Sequence, residues 1–221
     1  MSPFRLLAVA TVLSLAAFAS AQADWFETGT LTTVIDGEER TLHTYGTYVP
    51  EDVADRVEAP QQKAILERVA GTEQHTATYS FMEGITMGGI ALTPDTIWVA
   101  LTFSFDGHDS SAPHGVVLQF PLDPTTLELM DPEEVEIKYT PDGPSADDYY
   151  AFTEGSFELT AVEVVDETTL LISGAYEGYM TRQTGWDIVH DPASALEARG
   201  EFTVERVDGS QLALELIQDA P

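Results

Sequence analysis

The chain has 221 residues, 38 aspartates and glutamates against nine lysines and arginines, a net charge of −29 and no cysteine. That balance excludes a nucleic-acid reader, which needs the opposite sign, and works against adhesion to anionic membrane surfaces. Without cysteine there are no disulfides and no thiolate chemistry, so stability must come from packing, for which one core of this length buries roughly 70% of the unfolded surface.

Arg5 precedes an apolar run over residues 6–19 and the small residues Ala19-Ser20-Ala21. This order predicts an export leader over residues 1–21, cut after Ala21 or, one step on, after Ala23, and a periplasmic or secreted destination. The run falls short of the roughly 20 residues a spanning helix needs, so no stable membrane anchor is expected. Residues 22–221 are read as a single all-β domain.

Residues 28–35 and 40–48 read as a hairpin turning at Asp36-Gly37, where glycine supplies the backbone freedom of a tight turn. Pro50 changes the period. Val53 and Val57 lie four apart, and Ile65, Leu66 and Val69 share a face between Pro60 and Gly71, which predicts a short helical insertion over about residues 51–70. Strand alternation returns with His75, Ala77, Tyr79 and Phe81. It is strongest over residues 97–105, where Ile97, Val99, Leu101, Phe103 and Phe105 form one face expected at the centre of the core.

Val116, Leu118 and Phe120 continue the pattern, and Val135, Ile137 and Tyr139 alternate with Glu134, Glu136 and Lys138. The apolar phase then slips from Phe157 and Leu159 to Val162 and Val164, which predicts a bulge near Ala161 or cover on both faces. Leu170, Ile172, Tyr176 and Met180 keep one phase. Residues 181–190 read as a loop, with a helical turn starting near Asp191-Pro192 or over 194–197. Residues 200–207 and 211–217 read as a last hairpin. Gly155-Ser156-Phe157 and Gly200-Glu201-Phe202 share a glycine-x-aromatic pattern. Together these segments predict an antiparallel β-sandwich or flattened β-barrel with one short helical insertion.

Three clusters carry candidate chemistry. Asp106, His108, Asp109 and His114 combine imidazole and carboxylate in one loop, the donor set of a Zn²⁺ or Ca²⁺ site or of a divalent-metal-dependent hydrolase, although the spacing matches no established ligand motif. The same side chains also suit a polar turn that bonds its own backbone. Asp131, Glu133, Glu134, Glu136, Asp142, Asp147 and Asp148 make an acidic run that fails the EF-hand pattern, because Asp147 stands where the turn glycine belongs. Arg182, Trp186, Asp187 and His190 fall in the segment 181–190, and arginine and tryptophan are the residue types most enriched at binding hot spots.

These features rank a non-enzymatic binding or interaction module first, with an unknown protein or small-molecule ligand and no required cofactor. A lipocalin-like carrier of a small apolar ligand is the alternative on aromatic supply, and the metal-dependent hydrolase at residues 106–114 is the third.

Overall fold

The alternation read along the sequence folds into one continuous ladder in the computed structural model, which describes residues 25–56, 60–87, 90–91, 94–105, 114–142, 148–184 and 187–209. In chain order the elements are β1 (Trp25–Ile35), β2 (Glu38–Tyr48), α1 (Pro60–Val69), β3 (Glu73–His75), β4 (Ala77–Met82), β5 (Thr86–Met87), β6 (Ile90–Ala91), β7 (Thr96–Phe103), β8 (Gly115–Leu122), β9 (Glu136–Thr140), β10 (Asp148–Asp166), β11 (Thr169–Thr184) and β12 (Asp187–Asp208). The order across the main sheet is β11-β10-β9-β8-β7-β4-β12-β1-β2-β3, and β11 pairs again with β12. The ladder therefore returns on itself, which gives the expected all-β, antiparallel architecture its flattened-barrel form.

The strand β12 holds the ring together. One edge runs along β11, while the other pairs with β1 from Gly29↔Val204 to Ile35↔Ala198 and then meets β4 at Asp208↔Thr78, a parallel contact. A second join lies at Thr76, where the chain passes from β3 to β4. The Thr76 N–H donates to Tyr45 of β2 and its carbonyl accepts from Thr102 of β7, so one residue bonds both neighbours.

Burial follows the two-residue period. In β7, Ile97, Val99, Leu101 and Phe103 are all fully buried and the residues between them are not. A run of rings crosses the interior: Phe103 to Phe202 at 6.2 Å, Phe202 to Phe157 at 6.1 Å, and Phe157 to Phe120 at 5.2 Å between centroids. The second copy of the glycine-x-aromatic pattern, Gly200-Glu201-Phe202, has a physical cause in its pairing with β11. Gly174 stands opposite Phe202, and Tyr176 stands opposite Gly200. A Cβ on Gly200 would lie 2.7 Å from the Tyr176 ring and one on Gly174 would lie 2.8 Å from the Phe202 ring, so each aromatic covers the bare backbone across from it.

The phase slip in β10 is a bulge at Thr160, where the register with β11 jumps between Leu159 and Ala161. Leu159 faces Gly174 and Val162 faces Ile172, so the extra residue keeps Leu159 and Val162 both packed against the core, while Val164 beyond them is exposed. The helical insertion is present as a 3₁₀ turn over Val53–Arg56 and α1. Leu66 packs with Val49, Val53 and Ala54 in a small core of its own, and Gly71 closes the segment at φ +75°.

Three sequence expectations need correction. Phe105 is 72% exposed, because β7 ends at Phe103 and Ser104 leaves the sheet to bridge His43 of β2. The expected loop over 181–190 is a tight hairpin between Thr184 and Asp187. No helical turn starts at Asp191-Pro192 or over 194–197: β12 continues, and β11 meets Asp191 at Arg182 and Leu196 at Met180, so residues 192–195 form a bulge opposite Thr181. Pro192 sits in that bulge, where no ladder hydrogen bond is required of it. The expected strand over 211–217 lies outside the described residues.

Candidate functional site

The register places the segments singled out in the sequence at one end of the ladder. Gly115 at the start of β8 faces Thr140 at the end of β9, Tyr139 faces Tyr150 of β10, and Asp148 faces Thr184 at the β11–β12 turn. The β7–β8 and β9–β10 connections and the β11–β12 hairpin therefore leave from the same rim. One row of partners crosses it: Phe103, Val116, Tyr139, Tyr150, Arg182 and Asp191.

Tyr139 is the centre of this rim. Its ring stacks on His114 at 6.1 Å and 9°, and its hydroxyl shares a 2.7 Å hydrogen bond with His114 Nδ1. His114 is set for this contact by a left-handed backbone (φ 65°) and an N–H bonded to the Pro141 carbonyl. The Arg40 guanidinium lies 5.8 Å from the Tyr139 centroid, a cation–π distance, while it donates to the carbonyls of Ile35 and Glu38 and pairs with the Glu38 carboxylate. Tyr150 tilts against Tyr139 at 6.1 Å. On the outer face Lys138 reaches to 6.0 Å from the Tyr149 ring and pairs with Glu136 at 2.7 Å. Burial raises the Tyr139 phenol above its ordinary range, Arg40 opposing and Glu38 reinforcing, so the group stays a neutral hydrogen-bonding phenol.

Of the proposed loop ligands only His114 is described, and its Nδ1 is engaged by Tyr139; Asp106, His108 and Asp109 lie outside the described residues. Among the described residues no group of three or more histidines and carboxylates is placed to hold a metal ion. Of the third cluster, Arg182 is exposed, and its backbone N–H donates to Ser194 Oγ at 3.0 Å. Trp186 lies outside the described residues, as do the side chains of Asp187 and His190. Register pairs Arg182 with Asp191 and leaves Asp187 opposite Thr184.

Sequence reasoning missed a second polar cluster at the barrel seam. His75, with 2% of its side chain exposed, places Nε2 2.5 Å from Asp208 Oδ2 and 3.5 Å from Glu73 Oε2. Arg206 closes the group with contacts of 2.6 Å to Glu73 and 3.3 Å to Asp208. Burial alone would raise the Asp208 carboxyl, but His75 and Arg206 overcome it and hold it below the ordinary carboxylate range. Tyr79 lies alongside, its phenol pushed up by burial and by Asp208 and Asp166. The cluster joins β3 to β12 beside the β4 contact, with His75 buried and Glu73 and Arg206 partly exposed. Its local signal was a histidine in phase with Ala77 and Tyr79, but the partner carboxylate lies more than a hundred residues along the chain.

Two depressions open on the surface, of about 410 Å³ beside the Thr160 bulge and about 250 Å³ between Gly37 and Tyr179. The chain matches no family model, no curated protein and no solved structure.

Proposed function

We propose that the chain is an exported, non-enzymatic binding module whose contact surface is the rim at Tyr150 and Arg182, beside the buried Tyr139, working in the periplasm or outside the cell. The observation that carries this reading is the cross-strand pair that sets the half-buried Tyr150 beside an exposed arginine, on a chain with nine lysines and arginines in all. Tyrosine and arginine give large contact area and directional hydrogen bonds at low entropic cost, and loops on a rigid sheet are where binding sites gather. The partner is a protein or small molecule that offers acidic and planar groups to the guanidinium and phenol faces.

The run of phenylalanines filling the interior weighs against an enclosed apolar cargo, which needs roughly 300 Å³ or more. The hydrolase reading rests on a loop of which only His114 is described. The test is capture of partners from the native envelope, with the Tyr150→Ala/Arg182→Ala protein as comparison. A captured species should be retained by the parent chain and lost by the double variant at about tenfold weaker affinity or more. Retention by both proteins, or turnover of a substrate panel by the parent, defeats the proposal.

A further inference from the structure

At the other end of β10 the ladder is unfinished. The strand has nineteen residues, yet β9 has five and pairs with it only at Tyr150 and Ala151. Beyond Ala151 the β9-facing edge of β10 has no backbone partner among the described residues. Instead of a strand, the β8–β9 connection stands across from it. That connection is well braced: Asp123 Oδ1 accepts from the N–H groups of Thr125 and Thr126 at 2.8 and 2.9 Å, Leu129 bridges back to Leu122, and the Met130 N–H bonds the Pro121 carbonyl.

Between this wall and the open edge lies the depression of about 410 Å³. Leu127, Leu129, Phe157, Leu159 and Val162 give it half-buried apolar side chains, and Glu128 and Glu158 stand exposed at its margins. An unpaired strand edge beside an apolar slot is the arrangement that accepts an added strand, whose main chain bonds the edge while alternate side chains enter the slot. Glu154 and Glu163 extend the acidic margin along the same strand, and no lysine or arginine lines the groove. A second copy of this edge would bring glutamates against glutamates, and the chain's own 211–217 segment carries Glu215, with Asp219 just beyond it.

We infer that the groove between β10 and the β8–β9 connection takes an extended basic segment of a partner protein, with apolar side chains at alternate positions and lysine or arginine between them. The six edge residues from Phe157 to Val162 span about 20 Å, so a segment of roughly six to eight residues fits. The site lies about 25 Å along β10 from the Tyr150 rim and does not depend on it.

The probe is a labelled eight-residue peptide alternating valine and lysine, titrated into the purified protein by fluorescence anisotropy, with β10 amide exchange followed in parallel. Binding should weaken with salt, protect those amides of residues 157–162 that point away from β11, and fall roughly tenfold in Glu128→Lys/Glu158→Lys while Glu177→Lys leaves it unchanged. The Tyr150→Ala/Arg182→Ala protein should bind the peptide as the parent does, which separates this site from the rim. Equal binding of a valine–glutamate peptide, or no loss on charge reversal, overturns the inference. So does protection, before peptide is added, of the amides in residues 157–162 that point away from β11, because the edge is then already covered by the chain's own segment or by a second copy.

Discussion

Replacing Asp208 by asparagine tests whether the seam holds the ring closed. The substitution keeps the shape but removes the charge facing His75, whose side chain is 2% exposed, while Arg206 retains Glu73. Breaking a fully buried pair costs about 3–5 kcal/mol and an exposed one at most about 1 kcal/mol. Asp208 is 20% exposed, so the expected loss is about 2–3 kcal/mol. Urea is the suitable denaturant, being uncharged and leaving the self-repulsion of a −29 chain unscreened. The pH dependence follows from the depressed carboxyl. Its contribution is complete above the unfolded value of about 3.9 and is lost as pH falls through the lower folded value. The deficit of D208N should therefore be full near pH 5.5 and shrink in that acid window, while the exposed Glu67→Gln control stays at the parent midpoint throughout. A D208N protein with the parent's urea midpoint, or a deficit that persists undiminished in strong acid, would refute the reasoning.

Phe202→Ala removes the middle ring of the interior run and should cost about 3–5 kcal/mol in urea unfolding; a loss below about 1 kcal/mol would mean that the core closes over the gap. Gly200→Ala places a Cβ 2.7 Å from the Tyr176 ring, so a destabilisation of about 1–3 kcal/mol is expected, relieved when paired with Tyr176→Leu; the double variant should sit above the sum of the singles. Burial pushes the Tyr176 phenol up to about 12, with the Thr33 hydrogen bond opposing. The neutral form is thus favoured in the fold, stability is complete below the ordinary phenol value of about 10 and is lost as pH rises towards about 12, so phenolate absorbance should jump with cooperative unfolding rather than titrate smoothly.

Much of this fold is legible because alternation is a local signal. The inward faces of β7, β9 and β11 follow from every second residue, and the bulge at Thr160 shows as a phase slip because an extra residue must turn the pattern over. The β11–β12 hairpin is not legible because Asp191-Pro192 looks like a breaker, and only the register reveals that residues 192–195 stand opposite the single residue Thr181. Of the rim, Arg182 and His114 stand out by residue type. Their relation does not, since Tyr139 and Tyr150 become neighbours only once β9 and β10 are registered, and Arg40 meets Tyr139 only when the ring has closed. The His75–Asp208 pair is likewise a product of closure, carried by no local pattern.

The bulge also explains how an acidic strand with an open edge remains usable rather than sticky. A flat, regular edge is a template for self-pairing, and a bulge twists it away. In β10 the partners of Leu159, Ala161 and Val162 are Gly174, Ser173 and Ile172, which are consecutive, so Thr160 is surplus to the ladder, as Thr153 and Val165 are at the strand's two other register shifts. Deleting Thr160 should then leave Leu159 and Val162 facing inward and cost no more than about 1 kcal/mol, unlike the deletion of a paired strand residue, which turns every later side chain to the wrong face. The stretch of edge between the remaining bulges at Thr153 and Val165 should then self-associate as salt screens its glutamates, seen by light scattering as a mass that rises with both protein and salt concentration while the parent's does not. Unfolding by several kcal/mol would show that Thr160 is needed by the core, and an unchanged mass would show that the bulge is not what keeps the edge open to other partners.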